Sequence, residues 1–179
     1  MVAQVAWEQL DVDTVTFVPA GEPWQKVGSR ITPAKVRAAM VAAAIEGVDQ
    51  FDLDLREVDH TGPTFTIDTI SSFHEDVILI LGADSAAGIG TWHRSAELLR
   101  HVEVAVVGRP GVNRSEVEEA VGNALRWLDM PALDVSSSEL RAWMGAGFSA
   151  RFVVPDAVRA VIVEHGLYLP ERNDTAPVD

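Results

Sequence analysis

The sequence predicts an α/β fold built on a doubly wound parallel sheet, and three observations carry that reading. Strand-like and helix-like segments alternate along the chain. Residues 77–81 and 102–107 are unbroken apolar runs. Three polar or glycine-containing loops, Pro19-Ala20-Gly21, Gly82-Ala83-Asp84 and Gly108-Arg109-Pro110, fall at predicted strand ends. Alternation of this kind builds parallel sheets with helices on both faces. Continuous apolar runs suit strands that are covered on both sides. In such sheets ligands sit beyond the carboxyl ends of the strands, near the point where the strand order reverses.

The elements follow in order. Residues 2–10 read as a helix and 14–18 as a short strand that stops at Pro19. Thr32-Pro33 has the form of an N-cap followed by proline at the first helical position, where the missing N–H costs nothing. The Ala- and Val-rich helix after it reaches about Glu46, and Gly47 stops it. Residues 51–55 alternate apolar and acidic side chains, as a half-buried strand does. A turn at 61–63 leads into a helix over 66–73. A Gly-rich loop and a helix near 95–100 separate the two apolar strands. A polar helix starts near Arg114, and a short strand is read at 127–130. Ser136 and Glu139 have the spacing of a capping box at a further helix start. Pro155 opens a last helix that Gly166 closes. No repeat or low-complexity linker interrupts the pattern, so residues 1–170 read as one domain, with a polar tail at 171–179 that frays. One element is out of order. Units of this type open with a strand whose following turn receives phosphate, whereas Met1 leads directly into a helix, so the first strand reads as missing.

Composition narrows the function classes. The 179 residues are 47% hydrophobic and 23% charged, with a net charge of −13. That balance argues against a broad nucleic-acid surface. No apolar run is long enough to span a bilayer, and no basic-then-apolar signal opens the chain, so neither a membrane nor a nucleic acid is expected as a partner. Cysteine is absent, which excludes disulfides and thiolate metal sites and suits a cytoplasmic setting. The five histidines lack the i, i+4 spacing of a helical zinc motif, so no protein-ligated metal is expected. A phosphate ligand would need a local positive pocket, for which Lys26, Arg109 and Arg141 are the candidates. The helix start at 136–141 fits the same chemistry. Its free N–H groups and dipole favour an anion, Ser137 and Ser138 add hydroxyls, and Arg141 brings a planar fork suited to phosphate.

These segments resemble the bacterial nicotinate-nucleotide adenylyltransferases, within the nucleotidyltransferases that carry an H-x-G-H signature. Residues 17–26, F-V-P-A-G-E-P-W-Q-K, look like the family's F-V-P-x-G-x-P-x-x-K in its actinobacterial form. Residues 62–69, G-P-T-F-T-I-D-T, are similar to G-P-[ST]-Y-T-x-D-T, with Phe65 for the usual tyrosine. Leu81-Gly82-Ala83-Asp84 with Trp92 matches the G-A-D segment and its following tryptophan, and residues 108–111 match R-P-G. Residues 135–141 match I-S-S-T-x-I-R with a serine for the threonine. Each motif alone is weak, and the ordered set at family spacing is strong.

The resemblance implies a Rossmann-like nucleotidyltransferase fold and transfer of AMP from ATP to nicotinate mononucleotide, giving deamido-NAD and pyrophosphate. Magnesium would ride on the ATP phosphates. By the same resemblance Gly82, Asp84, Ser137 and Arg141 bind ATP, with Asp84 on a ribose hydroxyl. Thr66, Trp92 and Arg109 face the nicotinate nucleotide, and Lys26 reaches phosphate near the reaction centre. Asp84 and Thr66 also stand where helix caps stand, and Trp92 where a packing aromatic would. The family's G-G-x-F-D-P-x-H-x-G-H segment has no counterpart in the sequence. The chain as printed is therefore expected to lack transfer activity, with a start codon assigned too far downstream as the favoured cause. A non-catalytic nucleotide-binding paralogue, or an adenylyltransferase for another phosphorylated acceptor, is the alternative. Nicotinate versus nicotinamide preference stays open, and a homo-oligomer is compatible with the sequence.

Overall fold

A computed structural model describes residues 1–22, 31–131, 133 and 135–169. They divide into two compact units. The first takes in the described residues of 1–29 and 48–134, and the second those of 30–47 and 135–179.

The first unit holds α1 (Val2–Gln9), β1 (Val15–Phe17), β2 (Phe51–Leu53), α3 (Arg56–Asp59), α4 (Thr66–Ser71), β3 (Ile78–Gly82), α5 (Ala83–Ala87), α6 (Ser95–His101), β4 (Glu103–Val107), α7 (Arg114–Val121) and β5 (Leu125–Leu128). Every strand pair in it is parallel. β1 pairs with β2, and β3, β4 and β5 form a second ladder in that order. The expected α/β architecture with parallel strands is therefore present.

β4 shows why the sheet is covered on both faces. Side chains alternate across a strand, and those of β4 divide between two cores. Val104 and Val106 join Ile67, Ala83, Ala86, Leu98 and Val117 on one face. Ala105 and Val107 join Ala6, Leu10 and Leu128 on the other, where α1 lies. These four β4 residues are all buried, which is why the sequence shows no polar alternation there. β3 runs parallel beside β4, as its apolar run predicts, but the run is not fully enclosed. Residues 78–81 are only half-buried, because β3 has β4 on one side of this ladder and no further strand on the other among the described residues.

The second unit contains α2 (Ala34–Ile45), α8 (Ser137–Gly145) and α9 (Asp156–Glu164), with α2 packed against α9. Ala38 and Ile162 are buried there. Thr32 does not cap α2 with its side chain. The Pro33 carbonyl accepts from Val36 and Arg37, while the Thr32 hydroxyl lies 2.9 Å from the Tyr168 hydroxyl. Arg37 Nε donates to the Thr32 carbonyl at 3.0 Å. Thr32 thus ties the start of α2 to the residues that follow α9. No helix among the described residues is long and apolar enough to cross a membrane.

Candidate active site

Parallel pairing aligns the carboxyl ends of β3 and β4, with Gly82 opposite Val107. The loops that follow therefore leave the sheet together. Asp84, in the first turn of α5, and Arg109, just after β4, meet there: Arg109 Nη1 donates to Asp84 Oδ2 at 2.6 Å. Asp84 forms no side-chain cap, since Gly82 is the N-cap of α5 and makes no side-chain bond. A Cβ added at Gly82 would meet nothing within 4 Å, so the strand end is open toward any group approaching the backbone. The Asp84 and Arg109 side chains are 57% and 42% exposed. Exposed ion pairs of this kind contribute about 0–1 kcal/mol. The coupling between Asp84 and Arg109, read by denaturant titration of Asp84→Ala, Arg109→Ala and the double variant, is accordingly expected to be less than about 1 kcal/mol. A larger coupling would make the pair a structural brace.

The other two candidates of this unit, Thr66 and Trp92, lie on segments that the fold joins. Phe65 is the N-cap of α4 and Thr66 its first residue, so Thr66 is not the cap. The Phe65 ring stacks on the His93 ring, with centroids 4.2 Å apart and planes inclined by 31°. Arg94 Nη1 reaches Asp68 of α4 at 3.1 Å. Arg94 is the N-cap of α6 with φ of 52°, a left-handed conformation uncommon outside glycine. Its Nε and Nη2 also bond Glu97 at 2.8 and 2.6 Å, and this holds the Glu97 carboxyl below the usual carboxylate range. Trp92 is half-buried and packs against the core that contains Ile67. The stack and the ion pair therefore join the flanks of Thr66 and Trp92. His93, Arg94 and Asp68 do this work; Asp68 is the aspartate of the 62–69 motif, whereas no short motif singles out His93 or Arg94.

In the second unit, Ser136 caps α8 as expected, its Oγ accepting from Glu139 N at 3.1 Å. Ser137 and Arg141 lie on this nine-residue helix, both exposed. Arg141 Nη2 donates to Ser138 Oγ at 3.2 Å. First-turn N–H groups, two serine hydroxyls and a guanidinium thus share one helix start, an arrangement whose chemistry is anion binding. Lys26 lies outside the described residues. Among the described residues no group of three His, Cys, Asp or Glu side chains is placed to hold a metal ion.

A cytidylyltransferase-like family model matches residues 1–143. A probable nicotinate-nucleotide adenylyltransferase of Methylibium petroleiphilum is 37% identical over 184 residues, covering 97% of this chain and 86% of that protein. The Bordetella avium protein of the same name is also 37% identical, over 94% of this chain and 89% of its own length. That of Corynebacterium kroppenstedtii is 34% identical, over 89% and 78%. Among solved structures, the Plasmodium falciparum nicotinic acid mononucleotide adenylyltransferase complexed with NaAD superposes with a TM-score of 0.74. That match covers 93% of this chain and 87% of the other, and at 16% identity it speaks to the fold. The chain belongs to the cytidylyltransferase-like family and, within it, to the nicotinate-nucleotide adenylyltransferases.

Proposed function

We propose that the protein transfers the AMP moiety of ATP to nicotinate mononucleotide, forming deamido-NAD and pyrophosphate. The observation that carries this reading is 37% identity, along nearly the whole chain, to relatives whose names state that activity. A phosphate oxygen of the mononucleotide attacks the α-phosphorus of ATP. One P–O bond forms, the bond to the bridging oxygen breaks, and pyrophosphate leaves with the electron pair. The acceptor brings its own nucleophile, so the protein's contribution is positioning and charge stabilisation. In this reading Ser137 and Arg141 hold ATP phosphates, Asp84 takes a ribose hydroxyl beside the open backbone of Gly82, and Lys26 reaches phosphate near the reaction centre. Thr66, Trp92 and Arg109 serve the acceptor. Magnesium enters on the ATP phosphates. Residues 1–170 act as one nucleotidyltransferase domain in the cytoplasm, and neither nucleic acid nor membrane takes part.

The test is product formation. In a protein that carries the family's G-G-x-F-D-P-x-H-x-G-H segment together with these residues, deamido-NAD and pyrophosphate are expected in equal amounts, and only when both nucleotides are present. Binding of both without pyrophosphate release would leave the non-catalytic reading instead. The acceptor end has its own check. Trp92→Ala is expected to weaken nicotinate mononucleotide about tenfold or more, with a much smaller effect on ATP. Stacking on a base is worth about 1–3 kcal/mol. Equal effects on both nucleotides would mean that Trp92 only supports the fold.

A further inference from the structure

The 62–73 segment supplies Thr66 to the candidate acceptor end, yet its capping is poor. α4 has six residues and no side-chain cap. A helix this short is marginal by itself, so its placement must come from elsewhere. Two consecutive residues of α3 supply it. The Glu57 carboxylate accepts from both threonines that flank Phe65 and Thr66. Thr64 Oγ1 donates to Oε2 at 2.7 Å and Thr69 Oγ1 to Oε1 at 2.5 Å. Both oxygens of one half-buried carboxylate are thus committed to a single segment. The preceding residue holds the far end. Arg56 Nη1 donates to Ser72 Oγ, and the guanidinium lies over the Phe73 ring, 4.2 Å from its centroid. Asp54 fixes that guanidinium through Nε at 2.6 Å, and the same hydrogen bond lowers the Asp54 carboxyl below its usual range. The loop after β1 meets this point too. Glu22 bridges to Pro63 in parallel, and Gly21 is packed against the Glu57 carbonyl oxygen, which a Cβ there would approach to 2.0 Å.

We propose that Arg56 and Glu57 are positioning residues for the acceptor nucleotide: they clamp the 62–73 segment and so set where Thr66 meets the substrate. The proposal rests on the adenylyltransfer reading for its ligand, and on the hydrogen bonds alone for the clamp. Glu57 touches no reacting atom. Hydrogen bonds to an ionised carboxylate are the stronger kind, and two on one segment restrict it more than a single cap would.

The experiment compares Glu57→Ala, Glu57→Gln and the double variant Thr64→Val/Thr69→Val in the full chain. Calorimetry reads nicotinate mononucleotide and ATP separately, thermal melting reads overall stability, and hydrogen exchange reads the amides of residues 62–69. Glu57→Ala and the double valine variant should weaken nicotinate mononucleotide about tenfold, the scale of one lost hydrogen bond to a charged group. ATP should stay within about twofold by the same scale, and exchange at 62–69 should rise. Glu57→Gln should recover most of the loss, because its amide can accept from one threonine and donate to the other hydroxyl. Equal weakening of both nucleotides, or unchanged exchange at 62–69, overturns the clamp. Should Glu57→Ala not fold, Glu57→Gln and the valine variant decide the matter by the same readings. A wild-type chain that binds no nicotinate mononucleotide would sink the functional reading, and the exchange data would still decide the clamp.

Discussion

Gly21→Ala is expected to cost about 1–3 kcal/mol of stability, the usual range for forcing an extra methyl group into a filled space. The reason is local and steric. The added Cβ would lie 2.0 Å from the carbonyl oxygen of Glu57 and 3.0 Å from its carbonyl carbon. Both are backbone atoms, so no side-chain rotation can relieve the clash, and α3 or the loop after β1 must move. For a chain of this size the midpoint should fall by roughly 2–4 °C per kcal/mol. Gly82→Ala is the matched control, because a Cβ there meets nothing within 4 Å. Its φ of −75° is one that alanine adopts freely. Gly82→Ala should therefore melt within about 1–2 °C of wild type and still weaken ATP, if ATP approaches that backbone closely. The two glycines then separate into one needed for packing and one left open for a ligand. Equal melting curves for both variants would contradict the close packing of Gly21 on α3.

The contrast shows what the sequence could reveal. β4 was readable because residues 104–107 must be apolar on every position to fill two cores at once. The Ser136 cap was readable because its partner is three residues away. β5 lies at Leu125–Leu128, two residues before the expected 127–130, within the usual slack of element boundaries. α5 escaped because five residues flanked by Gly82 and Gly88 carry too little periodicity to separate a helix from a loop. The strand-end positions of the candidate residues Asp84 and Arg109 were readable, but the wiring around the candidate residues was not. Asp84 and Arg109 are 25 positions apart, and Arg94 and Asp68 are 26 apart. Glu57 reaches Thr64 and Thr69 across a turn, at separations of 7 and 12. None of these follows a helix or strand period, so only the folded chain brings them together.

Arg141 is the position where substitution should most affect ATP binding. It stands in the second turn of α8, exposed, with one guanidinium nitrogen on Ser138 Oγ at 3.2 Å. Among the described residues that hydroxyl, a neutral group, is its recorded partner, and it orients the fork at a helix start whose N–H groups already favour an anion. A hydrogen bond to a charged group contributes about 1.5–3 kcal/mol. Arg141→Ala should therefore weaken ATP by roughly 10- to 150-fold, at about 1.4 kcal/mol per factor of ten. Nicotinate mononucleotide should change far less. Arg141→Lys should recover only part of the loss, because an ammonium keeps the charge but not the two-pronged geometry. Stability should be nearly unaffected, since the side chain is exposed and its one described hydrogen bond is to a neutral surface serine. Calorimetry of the three proteins with ATP, and then with the mononucleotide, reads all of this directly. Full recovery by lysine would mean that Arg141 acts as a point charge alone. An unchanged ATP affinity in Arg141→Ala would remove the helix start at 136–141 from the ATP site.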